Sequence, residues 1–445
     1  MLSSGREESV GIKCGPMESL GKSLRHRLEF VVVSFEGPDL YSMVGGLGVR
    51  VTEMTAVLAE MGFVTRLFFV GDPDCESVES SGRLHLHRWS RWVARQYPKG
   101  VYEGELAKVE DFQSSLPTFL LEKIIAPNAA RGVTTVVLGE DWQTSRTISR
   151  TAELVQAQGL LRRCLFLWNA NNTFGFDGID WGALTAHTQL LTVSRYMREK
   201  MRARRLLPLV VQNGIPPRYW EAVDEKTGKA LRKMFPDLLL AKVGRYHPDK
   251  RWLMAVEAVG ECKRLGLKPK LLLRGGSEDY SHQVRAKAAE QGLSWAVIRP
   301  EGSQPEEALD AIAHHQGADI LELDFFVPES FLRSLYWASD AVLANSGHEP
   351  FGLVGLEVMA CGGVAITGST GEEYIQSFHN GIAVGSEDPR EITVYLRELL
   401  NQRGLARNLR ENGRETSRLY AWQIVLKDLL RKIEFLAWVR GVDLN

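Results

Sequence analysis

Short apolar runs alternate with helical patterns along the whole chain. In the first half the runs lie at 30–35, 65–72, 134–141, 163–170, 190–196 and 208–214, and in the second half at 238–245, 270–276, 320–326, 341–346 and 363–369. They are continuously apolar, which is typical of parallel strands covered on both faces. Helical patterns separate them at 49–61, 249–265, 305–316, 329–338 and 388–402. This alternation predicts an α/β fold with two doubly wound parallel sheets.

The length of the chain favours more than one domain. With 445 residues, it exceeds the roughly 250–300 residues that a single core usually reaches. The segment 213–220, with two prolines and a glycine after a strand, marks the predicted boundary. We therefore predict a polar leader at 1–27, a first domain at 28–216, a second domain at 217–418 and a C-terminal helix at 419–445 that crosses back to the first domain.

The amphipathic segment 420–440 has two interpretations. Its apolar side either packs across the domain junction, or its basic face lies on a membrane surface as a peripheral contact. No apolar run reaches the about 18–20 residues of a membrane span, and the polar N-terminus lacks the apolar core of a signal peptide. These features predict a cytoplasmic protein without a transmembrane segment.

Charge and cysteine content narrow the class of protein further. The formal net charge is -1, whereas a nucleic-acid partner usually leaves a basic footprint, so no nucleic acid is expected. The five cysteines are scattered and show no zinc-binding spacing, which is typical of reduced thiols. No aspartate cluster indicates a metal site.

Polar and glycine-rich segments follow most of the predicted strands, where open α/β sheets bind their ligands. Gly45, Gly46 and Gly48 lie between a strand and a helix, where backbone N–H groups can approach an anion. A purely structural turn is the alternative. The spacing departs from G-x-G-x-x-G, which disfavours a nicotinamide cofactor.

A second candidate segment is VGRYHPDKR at 243–251. Arg245 ends a strand and Lys250 opens the following helix, so two cations meet near one strand terminus. This arrangement suits a diphosphate, although ordinary surface charges in a solvated loop are the alternative.

The third candidate segment covers 345–374. A strand ends at Asn345, a loop carries His348 and Glu349, and a helix that contains Glu357 begins near Gly352. The predicted helix start offers the backbone N–H groups of Phe351, Gly352 and Leu353 to an anion. The loop that contains Thr370 follows the next strand and is also rich in small and polar residues.

At these residues the sequence resembles the retaining GT-B glycosyltransferases of family 4, to which glycogen and starch synthases are more distantly related. The hallmark E-P-F-G-L-x-x-x-E runs from Glu349 to Glu357, together with GGLG at 45–48 and VGR…DK at 243–250. The resemblance covers about 30–438. It implies two Rossmann-like domains that face a central cleft, and transfer of a hexose from a nucleotide diphosphate sugar to a hydroxyl acceptor, with retention and without a metal or further cofactor.

The resemblance also implies individual roles. Glu349 would bind the donor sugar, Glu357 the ribose, and Arg245 and Lys250 the diphosphate. The backbone at Gly352–Leu353 and the loop near Thr370 would complete the donor site. The loop at 45–48 would close on the donor from the other domain.

Several residues depart from the pattern. Met43 and Val44 precede GGLG where bacterial glycogen synthases carry a lysine, which argues against glycogen or starch synthesis. Trp168 replaces a histidine found in many relatives, and it either stacks on a sugar or belongs to the core. Asn169, Asn171 and His348 are the remaining candidates for positioning the acceptor or the sugar.

These departures leave two alternatives beside a glycosyltransferase. One is a GT-B protein without transfer activity, which binds a nucleotide sugar in a regulatory or scaffold role. The other is a nucleotide-sugar epimerase of the same architecture, which would release free nucleotide without an acceptor.

Overall fold

The computed structural model describes residues 24–302, 304–347 and 349–444, with the side chains of Thr370, Glu372 and Arg403 left out. Most of the predicted leader and His348 therefore lie outside the described residues. The strands of the first half are β1 (Leu28–Val33), β2 (Val64–Val70), β3 (Val78–Ser81), β4 (Leu84–Trp89), β5 (Thr134–Glu140), β6 (Cys164–Ala170), β7 (Thr188–Thr192) and β8 (Leu209–Val210). Those of the second half are β9 (Leu238–Val243), β10 (Pro269–Arg274), β11 (Trp295–Ile298), β12 (Ile320–Leu323), β13 (Ala341–Ala344), β14 (Ala365–Thr367) and β15 (Ile382–Ala383).

Two sheets result. The first has the strand order β3-β4-β2-β1-β5-β6-β7-β8 and the second β11-β12-β10-β9-β13-β14-β15. The β3–β4 pair is antiparallel, and the other described pairs of named strands are parallel. Every predicted apolar run overlaps a strand. The unpredicted strands are β3, β4, β11 and β15, which are short or carry polar, partly exposed residues.

Helices connect the strands. In the first half they are α1 (Gly46–Glu60), α2 (Arg91–Ala94), α3 (Glu105–Leu120), α4 (Ala126–Ala130), α5 (Ser145–Ala157), α6 (Trp181–His187) and α7 (Arg195–Arg202). In the second half they are α8 (Glu225–Met234), α9 (Trp252–Arg264), α10 (Ser281–Glu290), α11 (Pro305–His314), α12 (Glu329–Ala338), α13 (Leu353–Ala360), α14 (Pro389–Asn401), α15 (Arg403–Ser417) and α16 (Trp422–Arg440).

Local sequence explains several helix starts. The side chains of Asp224 and Asp388 accept hydrogen bonds from backbone N–H groups in the first turns of α8 and α14. Pro305 and Pro389 occupy the first helical positions, where the missing N–H costs nothing. Capping and proline placement thus fix these boundaries before any tertiary contact is considered.

Contacts divide the described chain into two compact units. The first unit contains the residues up to Asn169, Phe174–Gln189 and the residues from Leu426 onwards; the second contains Ala170–Thr173 and Leu190–Val425. The predicted limits of the domains stay predictions, because a division by contacts does not test them.

The C-terminal helix α16 buries one side and exposes another. Leu426, Leu430 and Ile433 are buried, whereas Phe435 and Trp438 are 59% and 79% exposed. Among the described helices, none is sufficiently long and apolar to span a membrane. Peripheral membrane contact stays a prediction.

Candidate functional site

Two neighbouring strands of the second sheet bring the predicted cationic and acidic residues together. Strands β9 and β13 pair in parallel, so their carboxyl ends share one edge. Lys250 follows β9 and Glu349 follows β13, and the Lys250 ammonium donates a hydrogen bond to Glu349 Oε1. The two side chains are 22% and 25% exposed, so both stay accessible from solvent.

Contacts of Trp252 and Tyr246 hold the loop after β9 in place. Trp252 Nε1 donates to the carbonyl of Arg245 over 2.8 Å. The ring of Tyr246 is buried against Gly275, where a Cβ atom would lie 2.0 Å from it, and its hydroxyl donates to Glu322 Oε1 over 2.8 Å. The backbone on both sides of Arg245 is thereby fixed, while the residue itself is exposed.

The start of α13 depends on a glycine. Gly352 has φ 77° and ψ 71°, in the left-handed region that a side chain disfavours. Its carbonyl accepts a hydrogen bond from the Tyr374 hydroxyl. Phe351 is buried, with its ring centroid 5.9 Å from that of Tyr374, and Leu353 begins the helix. The predicted helix start at these residues is confirmed.

Glu357 lies in α13 and is partly buried. Burial raises the pKa of its carboxyl to about 7. The charges of Glu329 and Glu349 contribute to this increase, whereas a hydrogen bond from Tyr219 and the charge of Arg218 act in the opposite direction. The pKa of Glu357 is therefore shifted from the acidic range towards neutral pH.

The loop after β14 approaches the loop that carries Glu349. Gly368 lies so close to Ser346 that a Cβ atom would meet the Ser346 carbonyl oxygen at 1.7 Å. The Ser369 hydroxyl donates to the carbonyl of Gly347 over 3.0 Å. Thr370 lies in the following 3-10 helix, Ser369–Glu373, and its side chain is outside the described part.

In the first unit, the glycine-rich turn already holds an anion of the protein itself. Glu36 Oε2 accepts from the N–H groups of Gly45 and Gly48 over 3.0 and 2.9 Å. The Tyr102 hydroxyl donates to Glu36 Oε1 over 2.5 Å. The N-terminus of α1 thus faces a carboxylate, while Gly46 is exposed. The role of Gly45, Gly46 and Gly48 in donor binding stays a prediction.

Two candidates for acceptor positioning are enclosed in the first unit. Trp168 is fully buried, donates to the carbonyl of Asp141 over 3.1 Å and packs against Trp181. This burial supports the core interpretation, because no face of the ring is open to a sugar. Asn169 is also fully buried and donates to Glu140 over 2.8 Å. Asn171 is partly buried.

Beside these residues lies a strained position. Asp141 has φ 59° and ψ 174°, a conformation almost restricted to glycine that costs about 1–3 kcal/mol. Its N–H donates to the Asn169 carbonyl over 2.9 Å. Glu140 forms an ion pair with Arg50 at 3.2 Å, and both are almost completely buried. The carboxyl end of β5 is therefore rigidly specified.

Sequence reasoning missed several residues of the site. Tyr374 and Tyr219 gave no signal, since aromatic residues are usual core material. Glu36 could have been found as the acidic residue that follows β1. Lys242 could also have been found, because it is a lysine within the apolar strand LLLAKV. Among the described residues, no group of three or more His, Cys, Asp or Glu is placed to hold a metal ion.

Comparison with protein families identifies the second half of the chain. Residues 225–416 match the family of glycosyl transferases group 1. This range contains Arg245, Lys250, Glu349 and Glu357, so it includes the contact described above. The predicted resemblance to glycosyltransferases is therefore confirmed for residues 225–416, at the level of a match to this family. Family 4 and retention stay predictions.

Curated relatives match over limited stretches. D-inositol 3-phosphate glycosyltransferase from Salinispora tropica is 30% identical over 136 residues, which cover 29% of this chain and 28% of that protein. The protein of the same name from Thermobispora bispora is 34% identical over 101 residues, 22% of this chain and 24% of that protein. The chain thus spans about a quarter of the length of these relatives.

Solved structures match over nearly the full length. The sucrose-phosphate synthase from Thermosynechococcus elongatus has a TM-score of 0.64 at 18% identity and covers 92% of this chain and 100% of its own. The catalytic domain of starch synthase IV from Arabidopsis thaliana, bound to ADP and acarbose, has a TM-score of 0.65 at 15% identity, with coverage of 93% and 99%. At these identities the likeness establishes the fold, and the predicted GT-B class with two parallel-sheet α/β domains is confirmed.

Proposed function

We propose that the protein is a glycosyltransferase that moves a hexose from a nucleotide diphosphate sugar to a hydroxyl acceptor, with retention and without a metal. The observation that carries the proposal is the contact between Lys250 and Glu349 beside the start of α13, within the residues that match glycosyl transferases group 1. A cation for the leaving group and a carboxylate for sugar hydroxyls lie side by side there.

Each partner of this pair has a distinct task. In the structure the two charges compensate each other. A nucleoside diphosphate would take Lys250 as the partner of its phosphate oxygens, because fixed positive charge stabilises a departing diphosphate. The donor sugar would then supply hydroxyl groups to Glu349, so neither charge is left unpaired.

Two further residues complete the proposed donor site. Arg245 is exposed at the start of the loop after β9, and its guanidinium can add a second cation to the diphosphate. Glu357, partly buried in α13, would accept hydrogen bonds from the ribose hydroxyls. The two cations take over the neutralising role that a metal ion has in other transferases, which is our reason to propose metal-independent transfer.

Binding and turnover test this proposal separately. We expect calorimetry to show binding of at least one of UDP, GDP and ADP without added metal, and EDTA to leave it unchanged. A panel of nucleotide sugars with hydroxyl acceptors should then yield a glycoside, whose anomeric configuration by NMR matches the donor. Failure of the full-length protein to bind any of the three diphosphates would refute the donor site.

A second candidate function is a nucleotide-sugar-binding protein that transfers no sugar. It is favoured by the first unit, where Glu36 fills the glycine-rich turn and Trp168 and Asn169 are enclosed. Binding without any glycoside or hydrolysed donor would support this candidate.

Release of free nucleotide together with an altered free sugar, in the absence of an acceptor, would instead indicate an epimerase. The cytoplasmic location is part of the proposal and stays untested.

A further inference from the structure

A buried lysine lies next to the proposed donor site. Lys242 is the fifth residue of β9 and is 2% exposed. Leu238 and Leu240 precede it at alternate positions and belong to a buried apolar cluster with Trp252. Lysine is rarely fully buried without a charged partner, because removing an ammonium from water is costly. A fully buried lysine in an apolar strand is therefore unusual.

The groups that contact the Lys242 ammonium are uncharged. Its Nζ atom donates to the carbonyl of Leu343 over 3.0 Å and to Asn345 Oδ1 over 2.6 Å. It lies 5.0 Å from the centroid of the Trp252 ring. Within the described ranges, Lys242 forms no ion pair. Hydrogen bonds and a cation–π contact hold the ammonium, but no adjoining carboxylate compensates its charge.

The charged groups around Lys242 include Lys250 and Glu349 of the proposed donor site. The pKa of Lys242 is lowered to about 7, chiefly by burial and also by the charges of Lys250 and Arg251, which follow its own strand. Glu349, which follows β13, raises it. The helix α9 presents Trp252, and β13 presents Leu343. A new negative charge beside Lys250 would therefore favour the protonated form of Lys242.

The residues that hold Lys242 also hold the loop after β9. Asn345 Nδ2 donates to the carbonyl of Arg251 over 3.3 Å. Trp252 Nε1 donates to the carbonyl of Arg245 over 2.8 Å. Lys242 thus lies at the base of a hydrogen-bonded network that fixes the backbone at both ends of the segment between Arg245 and Arg251, which carries Lys250.

We propose that Lys242 is a positioning residue of the donor site, whose buried positive charge is compensated by the diphosphate of the ligand, so that ligand binding is coupled to uptake of a proton by Lys242. The inference rests on the proposed function, since it requires a diphosphate beside Lys250. At 2% exposure Lys242 acts through its electric field and through Asn345, without touching the ligand.

Calorimetric titration of the full-length protein with UDP and with ADP tests the coupling. At about pH 8, in two buffers of different ionisation enthalpy, the wild type should take up more protons on binding than Lys242→Met, by up to about one proton. Between pH 7 and 9 the wild type should also lose affinity more steeply, by up to about tenfold per pH unit. Titration of the ligand itself is common to both proteins and cancels in the comparison.

The chain offers a matched control. Lys270 in β10 of the same sheet donates to the carbonyls of Gly317 and Ala318 over 3.0 and 2.7 Å, and burial likewise lowers its pKa. Lys270→Met should keep the proton uptake of the wild type, because Lys270 is not among the residues that hold the donor-site loops. Equal loss of uptake in both variants would overturn the specific role of Lys242.

A second variant covers the case in which Lys242→Met does not fold. Asn345→Asp places a carboxylate next to the ammonium, so Lys242 should stay protonated in both the free and the bound protein. The proton uptake on binding should then fall to the contribution of the ligand alone, and the affinity for the diphosphate should weaken. Wild-type uptake in Asn345→Asp, or identical uptake in the wild type and Lys242→Met, would disprove the coupling. Absence of any binding by the wild type would instead refute the proposed function.

Discussion

Lys250 donates a hydrogen bond to Glu349 across the carboxyl ends of β9 and β13. The two residues are 99 positions apart in the chain. Each side chain compensates the charge of the other while keeping roughly a quarter of its surface exposed. The pair is thus both a structural contact and the proposed meeting point of the leaving phosphate and the donor sugar.

Replacing Lys250 by Met should separate catalysis from stability. We expect kcat/KM for the nucleotide sugar to fall by about 10²–10³-fold, because a positioned donor to developing negative charge is lost. Folding stability should change little, since a partly exposed pair contributes at most about 1 kcal/mol. Lys229→Met is the control: Lys229 pairs with Glu225 on the exposed face of α8 and should leave turnover intact. Unchanged turnover in Lys250→Met would contradict the assignment.

Replacing Glu349 by Gln should affect the sugar and not the phosphates. We expect kcat for transfer to drop by about 10²-fold or more, while the Kd of the free nucleoside diphosphate stays equal or decreases. The reason is that Glu349 and a bound phosphate would compete for the Lys250 ammonium. Calorimetry with the diphosphate alone, beside turnover measurements, checks both parts. A higher Kd for the diphosphate together with normal turnover would contradict the proposed role of Glu349 in binding the sugar.

The pKa of Glu357, raised to about 7, predicts a dependence on pH. Above that value the carboxylate is charged and accepts ribose hydroxyls better, so nucleoside affinity from this residue should increase as pH rises through 7. Glu357→Gln should remove this component, which can be isolated by comparing a nucleoside diphosphate with inorganic pyrophosphate. Tyr219→Phe should move the midpoint upward, because the hydrogen bond from Tyr219 lowers the pKa.

The raised pKa of Glu357 also predicts how the free energy of unfolding changes with pH. Its folded-state pKa lies above the ordinary 4.5, so the folded protein holds the proton more tightly than the unfolded chain. The free energy of unfolding should therefore fall as pH rises from about 4.5 to about 7, relative to Glu357→Gln. Denaturant titrations of the two proteins across this range measure the difference. A stability gain of the wild type over the variant with rising pH would contradict the raised pKa.

The backbone conformation of Gly352 predicts which residues can replace it without a loss of stability. Its left-handed backbone should make Gly352→Ala less stable by about 1 kcal/mol, whereas Gly352→Asn should lose less, because asparagine tolerates this conformation. Thermal unfolding of both variants gives the comparison. Equal stability of the alanine variant and the wild type would argue against the backbone conformation at the start of α13.

Much of the fold was predictable because its signals are local. Continuous apolar runs such as the one around Val342 mark buried parallel strands, and the proline at 389 with Asp388 before it marks a helix start. The strands β3 and β4 escaped prediction, because β3 is mostly polar and exposed and β4 alternates apolar with polar residues and so lacks a continuous apolar run. Their pairing partners, not their composition, make them strands.

The sequence by itself determined the two-sheet α/β architecture, the start of a helix near Gly352 and the motif from Glu349 to Glu357. Tertiary structure alone decided which charges meet. It paired Lys250 with Glu349, placed Glu36 against Gly45 and Gly48, and buried Lys242 beneath the donor-site loops. The physical reason is that hydrophobic periodicity reports on neighbours a few positions apart, whereas charge compensation and burial depend on strands brought together from distant parts of the chain.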